Sequence, residues 1–458
     1  MNLFQLKLKI MNKLKIKYYL FVVSDISFIG GVQLYIKRKC EYLSKNNYIP
    51  LIITGDNLNV MVSELNKYKQ LMIEELMFPP IYFSLKKINK IIIKIVNWIK
   101  NNCNEDDNIV IESNNIGAAL WSELIAKKLK TINILYFLGN DEAIRNSVYY
   151  QEYAKFKLKK NELITVTDKS MQIMFGNNEN IDKFKNDYVN IPFEKNEIIK
   201  DIGSIMPFLN NIDNSSFVIS TVSRLEKKYI HKLIESMGKI AKDNSKDKFV
   251  LIIVGNSKYK NLLDKFKEKY KFVQKNLDVI FTGYINPLPE ILFKRTHIFV
   301  GMGTSVINSI SQGCATICFD PRTNLSAGIL GLNIRNFAYN DKEKENILEY
   351  DISKLLYNKK LLKEAEIRGK KLFEEEYSNE IIMKKFIYLF KEIIKHSEKK
   401  YYNVFDYRGK ISKKEQLKIF LFKILGRKGY LFLVNKIITP LRFLQIFIED
   451  RYKLFSFK

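Results

Sequence analysis

The first part of the chain alternates short apolar runs with amphipathic helical patterns. The run at 18–23, Tyr-Tyr-Leu-Phe-Val-Val, has the length of a buried strand, and Gly30-Gly31 follow it in a turn. The next stretch is helical, with one apolar face formed by Val32, Tyr35, Ile36, Cys40 and Leu43. A second strand-like run follows at 50–54. This order of strand, glycine turn, helix and strand favours a parallel sheet covered by helices.

The same pattern continues to about residue 205. Strand-like runs lie at 109–111, 132–137 and 163–166, and a helical pattern lies at 118–129. We therefore predict a first α/β domain over residues 1–205.

A linker and a second alternating series follow. Asn, Ser, Gly and Pro accumulate over 201–216, where the apolar periodicity lapses. The later strand-like runs are 217–222, 249–254, 279–282, 298–300 and 315–319, and the helical patterns are 231–243, 258–271, 288–294, 305–312 and 353–372. We predict a second Rossmann-like domain over 206–378. Two doubly wound domains in tandem are expected to face a central cleft, with ligands at the carboxyl ends of the strands.

The last segment, 399–458, is a basic amphipathic extension. Its apolar positions recur at helical spacing: Leu417, Phe420, Leu421, Ile424 and Leu425. It contains 15 Lys and Arg against four Asp and Glu, a net charge of +11. Such a helix suits an anionic lipid surface, but the extension could equally pack on the two domains with its lysines in solvent.

Composition narrows the class of protein. The chain has 458 residues, 47% of them hydrophobic and 27% charged, which excludes a disordered chain. The net charge of +27 indicates an anionic partner. Four scattered cysteines and three histidines predict neither a disulfide framework nor a metal site, and favour a cytoplasmic protein. No run of about 18 apolar residues occurs, so any membrane contact is expected to be peripheral.

Two stretches of the second domain carry candidate chemistry. The strand at 217–222 leads into Ser-Arg-Leu-Glu-Lys-Lys, which puts Arg224 and Lys228 where a diphosphate could be neutralised. A surface turn in a lysine-rich protein is the alternative. Downstream strands end in glycines, at Gly255 and at Gly283 with Tyr284.

The stretch 297–320 is the strongest of these signals. A strand ends at Gly301-Met302-Gly303, and Thr304 or Ser305 then caps a short helix. A helix amino terminus opened by glycines offers free N–H groups to an anion. A plain βαβ turn would look similar.

These residues resemble the retaining GT-B glycosyltransferases of the glycogen-synthase-like family 4. The resemblance covers roughly 18–396 and is carried by Gly30-Gly31, the Ser-Arg-Leu-Glu-Lys-Lys segment, Gly255, Gly283 and the segment 301–320. It implies that Arg224 and Lys228 bind the diphosphate of a sugar nucleotide. It further implies donor contacts from Gly301, Gly303, Thr304 and Ser305, and a base pocket near Tyr284. A helix over 379–398 would be the family's crossover helix, and Gly30-Gly31 would lie beside the acceptor.

The chain departs from the family pattern at several positions. The family's paired glutamates correspond to Val300 and Asn308, and Asn308 could still bind ribose hydroxyls through its amide. Asn140, Asp141 and Glu142 stand where the family has a histidine, and Asp141 or Glu142 could orient the acceptor hydroxyl, although a helix cap or solvated turn is the simpler interpretation.

The resemblance implies transfer of a sugar from a nucleotide diphosphate donor to a lipid-linked or surface-glycan acceptor with retention, on the inner face of the membrane. No cofactor is expected. No Asp-Xaa-Asp occurs, so we predict a metal-independent reaction. The alternative is a catalytically silent binding or scaffold subunit. Nucleic-acid binding would rest on the charge alone, and neither a dinucleotide fingerprint nor a P-loop is present.

Overall fold

The computed structural model describes residues 16–434, except for 28–29, 57–59, 61, 105–107, 139–143, 145–146, 168–169, 176–187, 195–197, 200–205, 258–260, 321–322, 337–345, 397 and 408. The chain divides into two compact units, the first comprising Met1–Tyr188 with Phe390–Lys458 and the second Val189–Leu389. The domain boundary that the sequence pattern predicts at 205/206 lies inside the second unit. Residues 189–199 belong there because Phe193 N donates to Tyr377 O and Ile199 N to Leu288 O, both at 3.1 Å.

The first unit is built on a six-stranded parallel sheet of order β3-β2-β1-β4-β5-β6. The strands are β1 (Ile16–Val23), β2 (Ile49–Thr54), β3 (Lys69–Met72), β4 (Asn108–Ser113), β5 (Ile132–Phe137) and β6 (Leu163–Thr165). Its helices are α1 (Gly31–Lys45), α2 (Leu85–Asn102), α3 (Ile116–Leu129), α4 (Val148–Lys159) and α5 (Ser170–Phe175). The apolar runs are strands because they are short and buried on both faces.

The second unit has a sheet of order β12-β11-β10-β7-β8-β9. The strands are β7 (Phe217–Val222), β8 (Phe249–Val254), β9 (Leu277–Gly283), β10 (Ile298–Gly301), β11 (Ala315–Asp320) and β12 (Leu325–Ile329). The helices are α6 (Lys228–Asp243), α7 (Leu262–Lys269), α8 (Glu290–Arg295), α9 (Thr304–Ser311), α10 (Leu348–Leu356) and α11 (Lys359–Leu372), and α12 (Asn379–His396) contains the division between the units. The predicted fold class is confirmed.

Two details of the second unit differ from the sequence pattern. The helix predicted at 353–372 is two helices, because the chain breaks at Asn358, whose side-chain oxygen accepts from Leu361 N at 2.9 Å and caps α11. The edge strand β12 was not predicted and pairs antiparallel with β11.

The carboxyl-terminal extension continues in helix α13 (Lys413–Leu433), which is bent at Gly426. Ile419, Phe422 and Tyr430 are buried in the first unit, and the Phe422 ring lies 4.7 Å from Phe78. The extension therefore packs on the first unit. Of the apolar positions selected by sequence spacing, Leu421 packs against this cluster, whereas Leu417, Phe420, Ile424 and Leu425 are exposed. Among the described helices, none has the length and apolar character to cross a membrane.

A buried ion pair joins three elements of the first unit. Lys39 of α1 contacts Glu112 of β4, and both side chains are almost completely inaccessible to solvent. Lys39 Nζ also donates to the hydroxyls of Tyr19 (2.8 Å) and Tyr35 (2.9 Å). Burial lowers the pKa of the Lys39 ammonium to about 7, although the Glu112 charge acts in the opposite direction. The hydroxyls and the carboxylate compensate this cost of burial.

Removing one member of this pair is expected to destabilise the first unit. Lys39→Met leaves Glu112 buried without its cation, so the free energy of unfolding should fall by about 3–5 kcal/mol in urea denaturation. The double variant Lys39→Met with Glu112→Gln should lose less, because no charge is then left unpaired. A double variant as unstable as the sum of both single variants would contradict this account.

Candidate active site

The carboxyl ends of β7 and β10 form the switch point of the second sheet, where the strand order reverses. The parallel register pairs Ile219 with Ile298 and Ser220 with Phe299. The same offset relates the last residues of the two strands, Val222 and Gly301, so both strands end at one level. The segments that follow therefore leave the sheet side by side, as in other open α/β sheets that bind ligands at this place.

Close backbone contacts hold the loops after β7, β8 and β9 together. Ser223 N donates to Val254 O at 2.9 Å, and Gly255 N donates to Gly283 O at 2.8 Å. A side chain at Gly255, which has a φ of +149°, would overlap the carbonyl oxygen of Ser223. Glycine is thus required at 255 by the approach of two backbones.

Two helix amino termini open at this edge. Helix α6 begins at Lys228 and α9 at Thr304, and in neither helix does a first-turn N–H donate to the side chain of the cap residue. The cap residue of α9 is Gly303, with a φ of 65° and open space where a Cβ would be. First-turn N–H groups left free in this way suit an anionic ligand.

Positive charge is concentrated in the loop after β7. The Arg224 side chain is 64% exposed and lies 3.6 Å from the carboxylate of Glu226. Burial lowers the pKa of Lys227, and the charge of Arg224 lowers it further. Sequence reasoning missed Lys227 and Glu226, although both stand within the motif. Of Lys228 the structure describes the backbone position at the start of α6.

The other predicted donor residues lie near the same edge. Gly283 ends β9 and Gly301 ends β10; the half-exposed Tyr284 has its pKa raised by partial burial. Ser305 Oγ donates to Met302 O at 3.1 Å, and Asn308 lies on the second turn of α9, partly exposed. Val300 is fully buried in β10, so one of the two positions that correspond to family glutamates belongs to the core.

In the first unit the switch point lies between β1 and β4. Asn115 Nδ2 donates to Ser24 Oγ at 3.2 Å across it, and the Asn115 side chain also caps α3 by accepting from Ala118 N. Sequence reasoning missed Ser24 and Asn115, although Ser24 directly follows β1 and Asn115 comes two residues after the end of β4. Gly30 is the cap residue of α1.

Some predicted acceptor-side positions cannot be placed. Gly31 is the first residue of α1, but Asn140, Asp141 and Glu142 lie outside the described residues. Their role in acceptor binding stays a prediction.

A cavity of about 610 Å³ lies at the opposite edge of the second sheet, beside the starts of β7, β8 and β9. Asp213 and Lys248, which line it, form an ion pair at 3.1 Å. Open α/β sheets bind ligands at the carboxyl ends of their strands, so this cavity is not the candidate site. Over the described ranges, no group of three His, Cys, Asp or Glu side chains could hold a metal ion.

Comparison with known proteins identifies the second unit. Residues 205–372 match the model of a family described as glycosyl transferases group 1. Most of the second unit is therefore similar to group 1 glycosyltransferases. This match supports a transferase of EC class 2.4 that uses nucleotide sugars. Comparison with curated protein sequences gives no significant match.

Solved structures share the fold of most of this chain. A glycosyltransferase from Rickettsia africae is 16% identical, with a TM-score of 0.62 over 84% of this chain and 100% of the other. Anabaena HepE, solved with UDP and glucose, is 12% identical, with a TM-score of 0.59 over 82% and 100%. The lipopolysaccharide outer core galactosyltransferase WaaB is 13% identical, with a TM-score of 0.52 over 81% and 99%. The chain thus has the GT-B fold.

Paired glycine variants test whether the amino terminus of α9 binds the nucleotide. Gly303 and Gly313 both have positive φ and open space around a Cβ, so alanine at either position meets backbone strain of about 1–3 kcal/mol and no steric overlap. Gly303→Ala should also reduce the affinity for nucleoside diphosphate about tenfold or more, whereas Gly313→Ala, beyond the carboxyl end of the helix, should not. Calorimetry with UDP and GDP, beside thermal melts, measures both effects. Equal affinities in the two variants would argue against a site at Gly303.

Proposed function

We propose that this protein transfers a sugar from a nucleotide diphosphate donor to a lipid-linked or surface-glycan acceptor, with retention and without a metal ion. The observation that carries the proposal is the switch point of the second sheet, where the neighbouring strands β7 and β10 lead into the Arg224 loop and into the glycine-opened amino terminus of α9. The group 1 domain supports the donor class. WaaB, a lipopolysaccharide galactosyltransferase of the same fold, supports a surface-glycan acceptor.

The reaction mainly requires stabilisation of the negative charge that develops on the leaving diphosphate. As the bond from the anomeric carbon to the diphosphate oxygen breaks, the sugar becomes oxocarbenium-like and the leaving diphosphate gains charge. Arg224 would contact the diphosphate, with Lys228 as a second cation. The free N–H groups of α9, beginning at Thr304, would meet it from the other side. Gly255 and Gly283 would let the nucleotide approach the backbone, with the base near Tyr284 and the ribose near Asn308.

Cellular placement follows from the acceptor. A lipid-linked acceptor and a nucleotide donor meet at the cytoplasmic surface of a membrane, and the charge of +27 would hold the protein there. We therefore propose a cytoplasmic, peripheral protein of polysaccharide biosynthesis, of the lipopolysaccharide or capsule type.

A catalytically silent binding or scaffold subunit is the second candidate. It is favoured by Val300 and Asn308, which leave both family glutamate positions without a carboxylate. Such a protein would bind nucleoside diphosphates without turning over nucleotide sugars. Calorimetry with UDP and GDP, followed by an assay for free diphosphate product, distinguishes it from an enzyme.

Arg224→Ala should reduce turnover by about 10² or more. Loss of a preorganised cation aimed at developing charge typically costs about 2.7–4 kcal/mol in the transition state. Arg368→Ala is the matched control, because Arg368 is also half-exposed in the second unit but pairs with Glu364 on α11. Single-turnover assays with the active nucleotide sugar measure both variants. Equal rates for Arg224→Ala and Arg368→Ala would remove Arg224 from the mechanism.

Chelation should leave the rate unchanged. If Arg224 and the helix amino termini carry the diphosphate charge, EDTA has no required ion to remove, and added magnesium should not accelerate transfer. The assay is product formation before and after EDTA, with magnesium restored as a control. Loss of activity in EDTA and recovery with magnesium would refute the metal-independent mechanism.

A further inference from the structure

Helix α13 packs through one face and leaves a second apolar face in solvent. Ile419 and Phe422 are buried in the first unit, whereas Leu417, Phe420 and Ile424 are 56%, 58% and 63% exposed. The last three are spaced i, i+3 and i+7, so they lie on one side of the helix. Clustered exposed apolar side chains of this kind mark interaction surfaces more often than isolated ones do.

The border of this face is cationic. Lys413, Lys414, Lys423 and Lys428 are exposed. The one acidic residue of the helix, Glu415, is mostly buried: it pairs with Lys418 at 2.9 Å and accepts from the Tyr82 hydroxyl at 2.7 Å. Solvent therefore meets apolar and positively charged groups on α13, but no free carboxylate.

Helix α2 also exposes lysines and large apolar side chains on its solvent side. Its isoleucines and valine at 88, 91, 92, 95, 96 and 99 are buried in the core of the first unit. Its solvent side carries Lys86, Lys90 and Lys94, together with Leu85 and Ile93, which are 58% and 55% exposed. The helix contains no Asp or Glu.

The segment 74–83 links the two helices. Glu74 pairs with Arg427 of α13, and the next residue, Glu75, pairs with Lys87 of α2 at 3.0 Å. The Phe83 ring lies 5.3 Å from the Phe422 ring and carries the Lys87 ammonium 5.0 Å from its centre. The first turn of α2 and the middle of α13 are thus neighbours within the first unit.

We propose that these two helices form a docking surface for an anionic lipid bilayer. We call this surface the basic apolar face. It consists of Lys90, Ile93 and Lys94 on α2 and Leu417, Phe420 and Ile424 on α13. The lysines would bind lipid phosphates, and the apolar side chains would enter the boundary between head groups and acyl chains. The inference gives a location to the membrane contact of the proposed function, and it extends to α2, which composition did not single out.

Charge complementarity favours a bilayer over other anionic partners. A nucleic acid would neutralise the lysines but leave Phe420 and Ile424 in water. A bilayer satisfies both sets at once, because interfacial helices combine a Lys-rich border with Leu and Phe.

Vesicle co-sedimentation tests the proposal with the full-length protein and no sugar nucleotide. Wild-type protein should bind phosphatidylglycerol–phosphatidylcholine vesicles, bind pure phosphatidylcholine vesicles much more weakly, and lose affinity as salt rises. Absence of binding to the anionic vesicles would overturn the proposal and leave the face to a protein partner. Glycosyl transfer to a soluble acceptor is assayed separately, so failure here does not affect the proposed reaction.

Matched variants separate a defined face from overall charge. Lys90→Gln with Lys94→Gln should weaken binding to anionic vesicles by about 25-fold, roughly fivefold for each lysine. The control Lys359→Gln with Lys360→Gln removes two exposed lysines of α11 in the second unit and should have little effect. Equal losses in both pairs would show that the total charge drives binding, and would overturn the proposal.

The apolar half is tested in the same assay. Phe420→Ser with Ile424→Ser should weaken binding about tenfold or more, because the variant no longer buries two large side chains. The control Phe272→Ser with Ile367→Ser alters side chains of the second unit that are 87% and 59% exposed. In Phe420→Trp, brominated lipid should quench fluorescence beyond the wild-type level. No added quenching and unaltered affinity of the serine pair would show that the face does not enter the bilayer.

Discussion

In a parallel sheet every strand ends at the same edge, and this constraint positions the functional groups of both units. Each chain segment must return along the outside of the sheet in a helix before the next strand begins. Where the strand order reverses, two neighbouring loops turn to opposite faces and leave a crevice. In the second unit that place lies between β7 and β10, and the loops that carry Arg224 and Gly303 leave the sheet there. Strand order thus fixes where the proposed donor site lies, and the side chains there supply its charge.

Backbone groups make up much of this site. The contact of Gly255 with Ser223, and the start of α9 at Gly303, need small residues more than reactive ones. Fixed backbone dipoles stabilise charge without reorganising, which is how such sites act on a leaving diphosphate. Two positions near this site lack the carboxylates of the family pattern. Val300 is a core residue, and Asn308 offers an amide in place of a carboxylate, so the proposed mechanism relies on Arg224 and the helix termini.

The first unit packs the carboxyl-terminal extension into its core in addition to its own sheet and helices. Helix α13 contributes Phe422 and Tyr430 to a cluster of rings around Phe78. The buried face therefore stabilises the unit, while the opposite apolar face and the lysines of α2 remain available. Separate faces allow one helix to serve both folding and docking, so packing on the first unit and contact with a bilayer are compatible.

Local patterns in the sequence determined the order of the elements and the positions of the glycine turns. Most strands are short and predominantly apolar, and helices show a period of 3.6, so both can be recognised without a partner. For the same reason the Arg224 motif and the turn at Gly303 could be placed at strand ends. Tertiary structure alone decided which elements meet: the pairing of Lys39 with Glu112, the contact of Asn115 with Ser24, and the choice of Ile419 and Phe422 as the packed face of α13. These contacts join residues far apart in the chain. Helical spacing also cannot decide which of two apolar faces of one helix is buried, because burial depends on the surface that the rest of the fold presents.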